Sequence, residues 1–299
     1  MTTPEHAGSG RAKGSHRSSA HGDVTVLMAV WKGDRPELLA QALRSAGPEQ
    51  TLPPREILVM VDGPLTAELD AVLDQASRQA QDHGEVPVRI IRCAEHRGLA
   101  DTLADGVRQA RTELIARADA DDINAPDRLA RQVPFLIDND VDILGSAMRE
   151  IGADGSPVAG APVRTRPIDQ AEIRRYARTH NPFQHPTVLM RRRVVLNAGN
   201  YHRMPYLEDW WLWIRMLMIG ARAANLNEPL VSYRVDAGLY ARRGGLELVK
   251  SDIRLHRLLV TTGFTPWPLA LRNLAVRIAY RVVPNRLRSR MHRLLVNRV

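Results

Sequence analysis

The sequence predicts an α/β protein in which a mostly parallel sheet is flanked by helices. Short apolar runs of strand-forming residues alternate with amphipathic patterns of about 10 to 16 residues, which is typical of β–α–β units. Apolar residues make up 44% of the chain and charged residues 25%, the ordinary proportions of a soluble globular protein. Polar clusters also fall where strands should end, and in parallel sheets this edge holds the active site.

The first half of the chain supplies four predicted strands and three predicted helices. The strands are short apolar runs, namely Val24–Val30, Glu56–Val61, Val86–Arg92 and Glu113–Ala118. The helices between them are amphipathic, and they are Pro36–Ser45, Thr66–Gln81 and Leu99–Ala110. Proline suits the first turn of a helix and Thr66 is a favourable N-cap, so two of the helix starts have a local cause. Crossovers of this kind make the connected strands parallel.

The pattern changes after Asp122. The sequence predicts helices over Pro126–Asn139, Ile168–Arg178 and Asp209–Ile219, and strands over Asp142–Ile151, Pro186–Met190 and Pro229–Arg234. Residues 152–155 read Gly-Ala-Asp-Gly and should turn the chain back, so that Ser156–Ala159 forms a hairpin with the strand before it.

The two ends of the chain differ from its middle. Residues 1–22 are rich in Gly, Ser, His and Ala without an apolar run long enough for a signal peptide, so we expect a disordered leader. The net charge is +9, yet residues 253–299 hold ten arginines and no acidic residue, which leaves −1 for the rest. We therefore predict a folded domain over 23–237 and a helical, arginine-rich extension over 238–299, and expect no nucleic-acid partner for the domain.

A single cysteine, Cys93, excludes an internal disulfide and a cysteine-based zinc site. The longest uncharged stretch near the C-terminus, Leu258–Leu271, falls short of the roughly 20 residues needed to span a bilayer. We therefore predict no transmembrane helix.

Two loops that follow strands contain residues suited to a nucleotide. Asp62-Gly63 ends the second strand, and its carboxylate can accept a hydrogen bond from an imide N–H; a plain Asp-Gly turn is the alternative. Arg97 lies before a helix, whose N-terminal dipole would help it attract a phosphate. A solvated loop with a turn at Gly98 is the alternative there.

The acidic cluster Asp119-Ala120-Asp121-Asp122 directly follows the fourth strand. Three carboxylates within four residues repel one another unless a cation lies among them, and hard oxygen ligands select Mg²⁺ or Mn²⁺. The alternative is a solvated acidic turn in which Asp122 or Asn124 caps the next helix. The position after a fourth parallel strand favours the metal site.

A second acidic pair, Glu208-Asp209, begins a helix that continues with Trp210-Trp211-Leu212-Trp213-Ile214. The helix dipole lowers the pKa of a carboxylate at this position, whereas an apolar tryptophan wall raises the pKa towards that of a general base. The sequence leaves both effects open. His185, in the segment 181–186, is either a hydrogen-bonded loop histidine or a ligand.

In this order, the motifs resemble those of the family 2 glycosyltransferases of GT-A fold, over about residues 24–235. The shared features are the Asp-Gly after the second strand, Arg-Gly-Leu before the third helix, Asp-X-Asp-Asp after the fourth strand, and Glu-Asp before a Trp-rich helix. The continuation at residues 233–235 and 240–245 resembles the bacterial subgroup that builds exopolysaccharide and capsule repeat units, including amylovoran-type transferases.

The resemblance implies a Rossmann-like GT-A domain and gives roles to individual residues. Positions implied to bind the nucleotide sugar are Ala29, Val30, Trp31, Asp62, Arg97 and Asp119. Asp119 and Asp121 match the metal motif, with Asp121 as the direct ligand. Asp209 matches the catalytic base, with Glu208 beside it, and the acceptor-side candidates are His185, Trp210 and Trp211. Many relatives carry a further histidine ligand to the metal at the position that Asp236 holds in this chain.

The implied activity is an inverting transfer of a sugar from a nucleotide sugar, UDP-linked on the strength of Asp62, to a hydroxyl of a glycan or lipid-linked glycan. Mn²⁺ or Mg²⁺ would offset the charge of the departing diphosphate. Asp209 would take the proton of the attacking hydroxyl. The resemblance further implies a role in cell-surface polysaccharide synthesis, in the cytoplasm at the inner face of the membrane.

Two other functions compete with this one. Phosphatases of the haloacid-dehalogenase type also place Asp-X-Asp after a parallel strand, but after their first strand, whereas three strands precede it here. A non-catalytic protein that binds a nucleotide sugar, RNA or membrane is the second alternative, with the arginine tail as its binding device.

The C-terminal tail predicts an interaction with an anionic membrane surface. Residues 267–299 place leucines, isoleucine and valines among arginines, with Pro284 between two amphipathic segments. Such segments can lie in the interface with their apolar face inward, and each basic residue near the surface contributes about 1 kcal/mol. The alternative is that the apolar stripe packs on the folded domain and the arginines are solvated.

Overall fold

The computed structural model describes residues 22–235 and 246–282, and an eight-stranded sheet forms the centre of this part of the chain. The strands are β1 (Val24–Val30), β2 (Glu56–Val61), β3 (Val88–Arg92), β4 (Leu114–Ala118), β5 (Ile123–Asn124), β6 (Ile143–Ile151), β7 (Leu189–Arg191) and β8 (Ala223–Arg234). Their order across the sheet is β3-β2-β1-β4-β7-β6-β8-β5.

The helices of the described residues cover both faces of this sheet. They are α1 (Pro36–Ala46), α2 (Ala67–His83), α3 (Leu99–Gln109), α4 (Arg128–Asp138), α5 (Gln170–Tyr176), α6 (Arg192–Asn197), α7 (Glu208–Met218), α8 (Leu246–Thr261) and α9 (Trp267–Val282). Pro36 occupies the first turn of α1, and the Thr66 hydroxyl accepts a hydrogen bond from the Leu69 N–H, as predicted for an N-cap. Helices α8 and α9 show that the described part of the C-terminal extension is helical, as expected.

The first four strands are parallel, which confirms the predicted β–α–β arrangement. The second half of the sheet is mixed, because β7 runs antiparallel to both β4 and β6, whereas β6 and β8 are parallel. The carboxyl ends of β1, β2 and β4 therefore lie side by side. The loops that follow these three strands meet at one edge of the sheet.

The core is divided between the two faces of the sheet. Successive strand residues point to opposite sides, so that Leu27 belongs to one apolar cluster and Val26 and Met28 to the other. Helices α1, α2 and α4 cover the face of Val26 and Met28, and α3, α6 and α7 cover the face of Leu27. Leu255 and Leu259 of α8 belong to the cluster that contains Leu27, so the helical extension shares a core with the tryptophan-rich helix α7.

Three predictions about elements are wrong. Residues 156–159 form no strand, since only an isolated bridge joins Ile151 to Pro157. The segment around Pro186 forms a 3₁₀ turn over His185–Thr187, because proline has no N–H for a ladder, and β7 begins at Leu189. Strand β8 starts six residues before the predicted Pro229, and β8 carries extra residues on either side of this proline, where the register against Ser146, Ala147 and Met148 of β6 shifts.

Several predictions lie outside the described residues. These are the leader, apart from Gly22, the segment that contains Asp236, and the tail beyond residue 282. Among the described helices, none is both long enough and apolar enough to cross a membrane.

Candidate active site

A cavity of about 650 Å³ opens at the carboxyl ends of β1, β2 and β4. It brings together eight residues that the sequence had singled out, although they come from five different segments of the chain: Ala29, Val30, Trp31, Asp62, Arg97, Asp119, Asp121 and Glu208. The cavity lies where ligands bind in open α/β sheets. Its walls place the nucleotide-sugar candidates and the acidic cluster within one pocket.

At one end of the cavity Asp62 organises the loop before α3. Asp62 is buried, and its carboxylate accepts hydrogen bonds from the backbone N–H groups of Arg97 (2.7 Å) and Gly98 (3.0 Å). The His96 Nδ1 lies 3.0 Å from the same carboxylate. Gly63 makes this close approach possible, because a Cβ there would lie 2.8 Å from the His96 nitrogen and its φ is +85°. Asp62 thus forms part of the cavity wall and also fixes a loop.

The Arg97 side chain is bound within the protein. Its guanidinium pairs with Asp105 of α3 and donates to the Cys93 sulfur at 3.2 Å. These contacts raise the pKa of Arg97, so the group stays charged at the rim of the cavity. Trp31 forms the neighbouring wall, with 43% of its surface exposed and its ring tilted against His96 at a centroid distance of 5.7 Å. An exposed indole at this position offers a flat apolar surface to a planar ligand.

The acidic cluster divides into two parts. Asp119 and Asp121 face the cavity, where Asp119 pairs with the buried guanidinium of Arg117. Asp122 points inward; its Oδ1 accepts a hydrogen bond from the Arg234 N–H at 2.8 Å, and its Oδ2 is buried without a hydrogen-bond partner. The helix-cap alternative is wrong, because the residue at the N-cap of α4 is Asp127, and neither Asp122 nor Asn124 caps that helix.

The electrostatics of this cluster match carboxylates crowded in a cleft. Although solvent reaches the Asp121 side chain, the surrounding protein and the neighbouring Asp119 raise its pKa to about 6. Burial likewise raises the pKa of Asp122 well above its ordinary value. Asp34, which receives a 2.8 Å hydrogen bond from the Trp31 N–H, has a pKa raised to about 6 by burial, with Asp121 and Asp119 adding to it. A cation would relieve this repulsion.

At the other side of the cavity, burial decides the state of Glu208 and Asp209. Both lie in the first turn of α7 and only 9% of each is exposed. Burial raises the pKa of Glu208 to about 7, with the charge of Asp209 adding to it, and raises the pKa of Asp209 to about 6. Desolvation therefore outweighs the helix dipole, and both groups have pKa values suited to a general base at neutral pH.

The two carboxylates face different surroundings. Glu208 lines the cavity, whereas Asp209 is not among its lining residues. The Asp209 Oδ2 accepts a 2.6 Å hydrogen bond from the Asn181 amide, and its Oδ1 accepts one from the Trp210 N–H. Asp209 is therefore held in one orientation by a neighbouring loop.

The acceptor-side candidates lie away from the cavity. Trp210 and Trp211 are 1% and 7% exposed and pack in the core, which differs from the expectation that they contact a ligand. Their apolar surface is needed to cover the sheet. His185 lies 3.0 Å from the Tyr201 hydroxyl through its Nε2, and burial lowers its pKa well below the ordinary value. It is a neutral, hydrogen-bonded loop histidine in this structure.

Several cavity residues were not identified from the sequence: Asp34, His96, Arg117, Arg203, Tyr206 and Glu247. Arg117 could have been identified as a candidate, because it is a charged residue inside an apolar predicted strand; it is 1% exposed. Asp34 lies in the loop that follows the first predicted strand, four residues after Val30, and this position at the edge of the sheet was a usable signal. Tyr206 carried no signal; it is 54% exposed and has a left-handed φ of 68°, which is uncommon for an aromatic residue.

Comparison with known proteins identifies the family of this chain. The family model described as Glycosyl transferase family 2 matches residues 25–199. The chain is 32% identical over 244 residues to the amylovoran biosynthesis glycosyltransferase AmsE of Erwinia amylovora, which covers 80% of this chain and 88% of that protein. It is 28% identical over 278 residues to a UDP-Gal:alpha-D-GlcNAc-diphosphoundecaprenol beta-1,3-galactosyltransferase of Escherichia coli, covering 92% and 96% of the two chains.

Solved structures share the fold. S. aureus TarS 1-349 in complex with UDP-GlcNAc superposes with a TM-score of 0.61 at 14% identity, over 80% of this chain and 67% of that one. The mannosyltransferase PcManGT of Pyrobaculum calidifontis, in complex with GDP-Man and Mn²⁺, gives a TM-score of 0.56 at 18% identity, over 91% and 79% of the two chains.

These findings confirm the resemblance, including that to the amylovoran-type subgroup, and they confirm the predicted GT-A fold. The phosphatase and the non-catalytic binding protein are therefore set aside as alternatives. The chain belongs to glycosyltransferase family 2, and it is a transferase of GT-A fold.

Proposed function

We propose that this protein transfers a sugar from a UDP-sugar to a hydroxyl of a glycan acceptor, with inversion at the anomeric carbon. Asp62 favours UDP, because its carboxylate can accept a hydrogen bond from the imide N–H of uracil. The observation that carries the proposal is the cavity in which Asp62, Asp119 and Asp121 lie together with Glu208. Asp62 and Trp31 offer a hydrogen-bond acceptor and an aromatic wall for a pyrimidine base.

Asp119 and Asp121 fit a divalent cation. Within residues 22–235 and 246–282 no set of three His, Cys, Asp or Glu side chains is arranged to enclose a metal. Two cavity-facing carboxylates suit Mg²⁺ or Mn²⁺ held by few protein ligands, because such ions are often bound by one or two carboxylates together with substrate phosphates. The bound cation would supply positive charge against the diphosphate that leaves with the nucleotide.

The protein's own residues would then orient the reactants and move one proton. Trp31 and Asp62 hold the base of the donor, and the charged Arg97 at the rim keeps the loop before α3 in place. Asp209, fixed by Asn181, takes the proton of the acceptor hydroxyl as that oxygen attacks the anomeric carbon from the face opposite the nucleotide. Glu208, which lines the cavity, binds hydroxyl groups near the sugar.

We infer a lipid-linked glycan as the acceptor class and cell-surface polysaccharide synthesis as the role. Two relatives support this: one is named for amylovoran biosynthesis and the other for transfer to GlcNAc-diphosphoundecaprenol. A protein acting on such an acceptor works at a membrane surface, which we place at the cytoplasmic face.

The C-terminal extension supplies a surface for an anionic membrane. In α9, Trp267, Leu271 and Val276 are about two-thirds exposed, and Arg272 is exposed beside them. The sequence from residue 253 onward carries ten arginines without an acidic residue, so its charge is complementary to an anionic leaflet. Exposed apolar residues next to arginines favour a lipid surface over a second protein copy.

The proposal is tested by measuring the hydrolysis of a panel of nucleotide sugars by the full chain with Mn²⁺, with Mg²⁺ and with chelator. We expect turnover of a UDP-sugar that disappears in chelator and returns with the metal. Asp121→Ala should lose both Mn²⁺ and UDP binding in calorimetry, whereas Asp82→Ala, an exposed acid on α2, serves as the matched control. An Asp121→Ala protein that binds UDP and Mn²⁺ like the parent would contradict the metal assignment.

A further inference from the structure

The segment that connects α5 to the 3₁₀ turn is held by side chains. Four of its carbonyl oxygens accept a hydrogen bond from the side chain of a distant residue: that of Ala177 from the Trp210 indole (3.0 Å), that of Arg178 from Asn273 (3.4 Å), that of Thr179 from Arg277 (3.4 Å), and that of Asn181 from Arg166 (3.1 Å). Carbonyl groups beyond the end of a helix need partners of this kind. Two of the four donors belong to α9.

This segment contains the residue that orients Asp209. Asn181 donates its amide hydrogen to the Asp209 Oδ2 at 2.6 Å, and its own Oδ1 accepts a hydrogen bond from the Phe183 N–H at 3.3 Å. The direction of the amide is therefore set by the backbone on either side of Asn181. A displacement of residues 178–180 would be transmitted to the Asp209 carboxylate through this one bond.

Arg277 contacts both the segment and the helix that carries Asp209. Its guanidinium lies 4.6 Å from the centroid of the Trp210 ring, and Trp210 follows Asp209 directly in α7. The same group lies 3.4 Å from the carboxylate of the fully buried Asp252 in α8. On the Trp210 side, the His256 ring of α8 meets the indole edge-on at 6.4 Å. A planar guanidinium can make these stacked and forked contacts together, which an ammonium cannot.

We propose that Asn273 and Arg277 of the C-terminal helix α9 are positioning residues for the catalytic base: they hold residues 178–181 and Trp210 so that Asn181 keeps Asp209 aimed at the acceptor. This inference depends on the proposed function, since it takes Asp209 as the base. The C-terminal extension then supports the active site through its inward residues, in addition to the membrane surface that its exposed residues provide. Asn273 and Arg277 on the inward side of α9 position the base, and the exposed apolar residues of the same helix contact the membrane.

The first test uses Arg277→Met, Asn273→Ala and Asn181→Ala in the full chain. We expect each to lower kcat by about 10-fold to 100-fold, because small misplacements of a catalytic group have effects of this size. The KM for the donor should stay within about twofold, since none of the three residues lines the cavity. Adding Asn273→Ala to Asn181→Ala should cause little further loss, because both act through the same bond.

The matched control is Leu259→Ala, which removes a fully buried apolar side chain of α8 and leaves the hydrogen-bond donors to residues 177–181 unchanged. It should lower the melting temperature and leave kcat within about twofold. Arg277→Met also removes the ion pair between Arg277 and the buried Asp252. Asn273→Ala leaves that ion pair in place, so it is the cleaner test. A loss of kcat in Leu259→Ala equal to that in Asn273→Ala, or a donor KM that rises in step with the loss of kcat, would overturn the positioning role.

The second test does not need activity, so its failure is distinguishable from failure of the proposed function. Hydrogen–deuterium exchange should be faster in peptides covering residues 177–182 of Asn273→Ala and Arg277→Met than in the parent, and unchanged in peptides covering 119–122. Unchanged exchange over 177–182 in both variants would overturn the inference. A parent protein without transferase activity, or a fully active Asp209→Asn, would instead contradict the proposed function.

Discussion

Arg117 and Asp119 form an ion pair in the wall of the cavity, although Arg117 lies in a buried strand and only 1% of it is exposed. The pair places one positive charge next to the carboxylates of the acidic cluster. Its charge also helps to hold down the pKa values of Asp121 and Glu208. Arg117 thus supplies part of the positive charge that a bound cation would supply to these carboxylates.

This relationship predicts the behaviour of Arg117→Met. Removing the guanidinium takes away the ion-pair partner of Asp119 and a positive charge that also acts on Asp121 and Asp122. In the presence of chelator we therefore expect the variant to have a lower melting temperature than the parent. The gain in melting temperature on adding Mn²⁺ should be larger than in the parent, because the cation now relieves more repulsion. Thermal shift with and without Mn²⁺ measures both. A Mn²⁺ shift equal to or smaller than that of the parent would contradict this account of the cluster.

Asp209→Asn separates proton transfer from donor binding. The amide has the shape of the carboxylate but cannot accept the proton, so we expect kcat to fall by about 10²–10⁴-fold while the affinity for UDP changes little. Glu208→Gln should have a milder effect on kcat. Steady-state kinetics and calorimetry measure these quantities, with the exposed acid Glu172 changed to Gln as the control. If Asp209→Asn keeps more than about a tenth of the parental kcat, Asp209 is not the base.

The raised pKa values of Glu208 and Asp209 predict how stability depends on pH. The folded protein binds protons at these groups with pKa values of about 7 and 6, compared with ordinary values of 4.5 and 3.8. Their contribution to the free energy of unfolding is therefore fully present below the ordinary pKa values of 3.8 and 4.5, and it is lost as the pH rises through about 6 and 7. Without metal, the melting temperature should be lower at pH 8 than at pH 5.

Glu208→Gln tests this dependence directly, because the amide stays neutral at every pH. At pH 8 the variant should be more stable than the parent by on the order of 2 kcal/mol, and at pH 5 the difference should be small. Chemical unfolding at the two pH values measures the difference. An identical difference between variant and parent at pH 5 and pH 8 would show that ionisation of Glu208 does not destabilise the fold.

The sequence predicted the part of the fold that local patterns determine. Strands β1 to β4 are short apolar runs between amphipathic helices, and right-handed crossovers then bring the ends of β1, β2 and β4 to one edge. Asp62 and Asp119 could be placed at that edge because each follows its strand directly. The positions of Asp62 and Asp119 in the cavity were therefore predictable from the sequence, whereas Asp34, His96 and Arg117 of the same cavity were not identified.

The surroundings of Glu208 and Asp209 were not predictable in the same way, because they depend on contacts between distant segments. Strands β7 and β6 insert between β4 and β8, a pairing that no local pattern indicates. Burial determines the pKa values of Glu208 and Asp209, and the degree of burial could not be deduced from neighbouring residues. Asn181 is also 28 positions from Asp209 in sequence, so only the folded chain shows that they meet.

The last prediction concerns the outward face of α9. Trp267→Ser combined with Leu271→Ser removes two exposed apolar side chains without touching Asn273 or Arg277, so the fold and the active site should be unaffected. In co-sedimentation, the parent should bind anionic vesicles, bind less as salt is added, and fail to bind zwitterionic vesicles, because arginines supply much of the attraction. The double variant should bind several-fold more weakly, and Val158→Ser, an exposed residue elsewhere, should bind like the parent. Equal pelleting of the double variant and the parent, or equal binding to both vesicle types, would remove α9 from membrane contact.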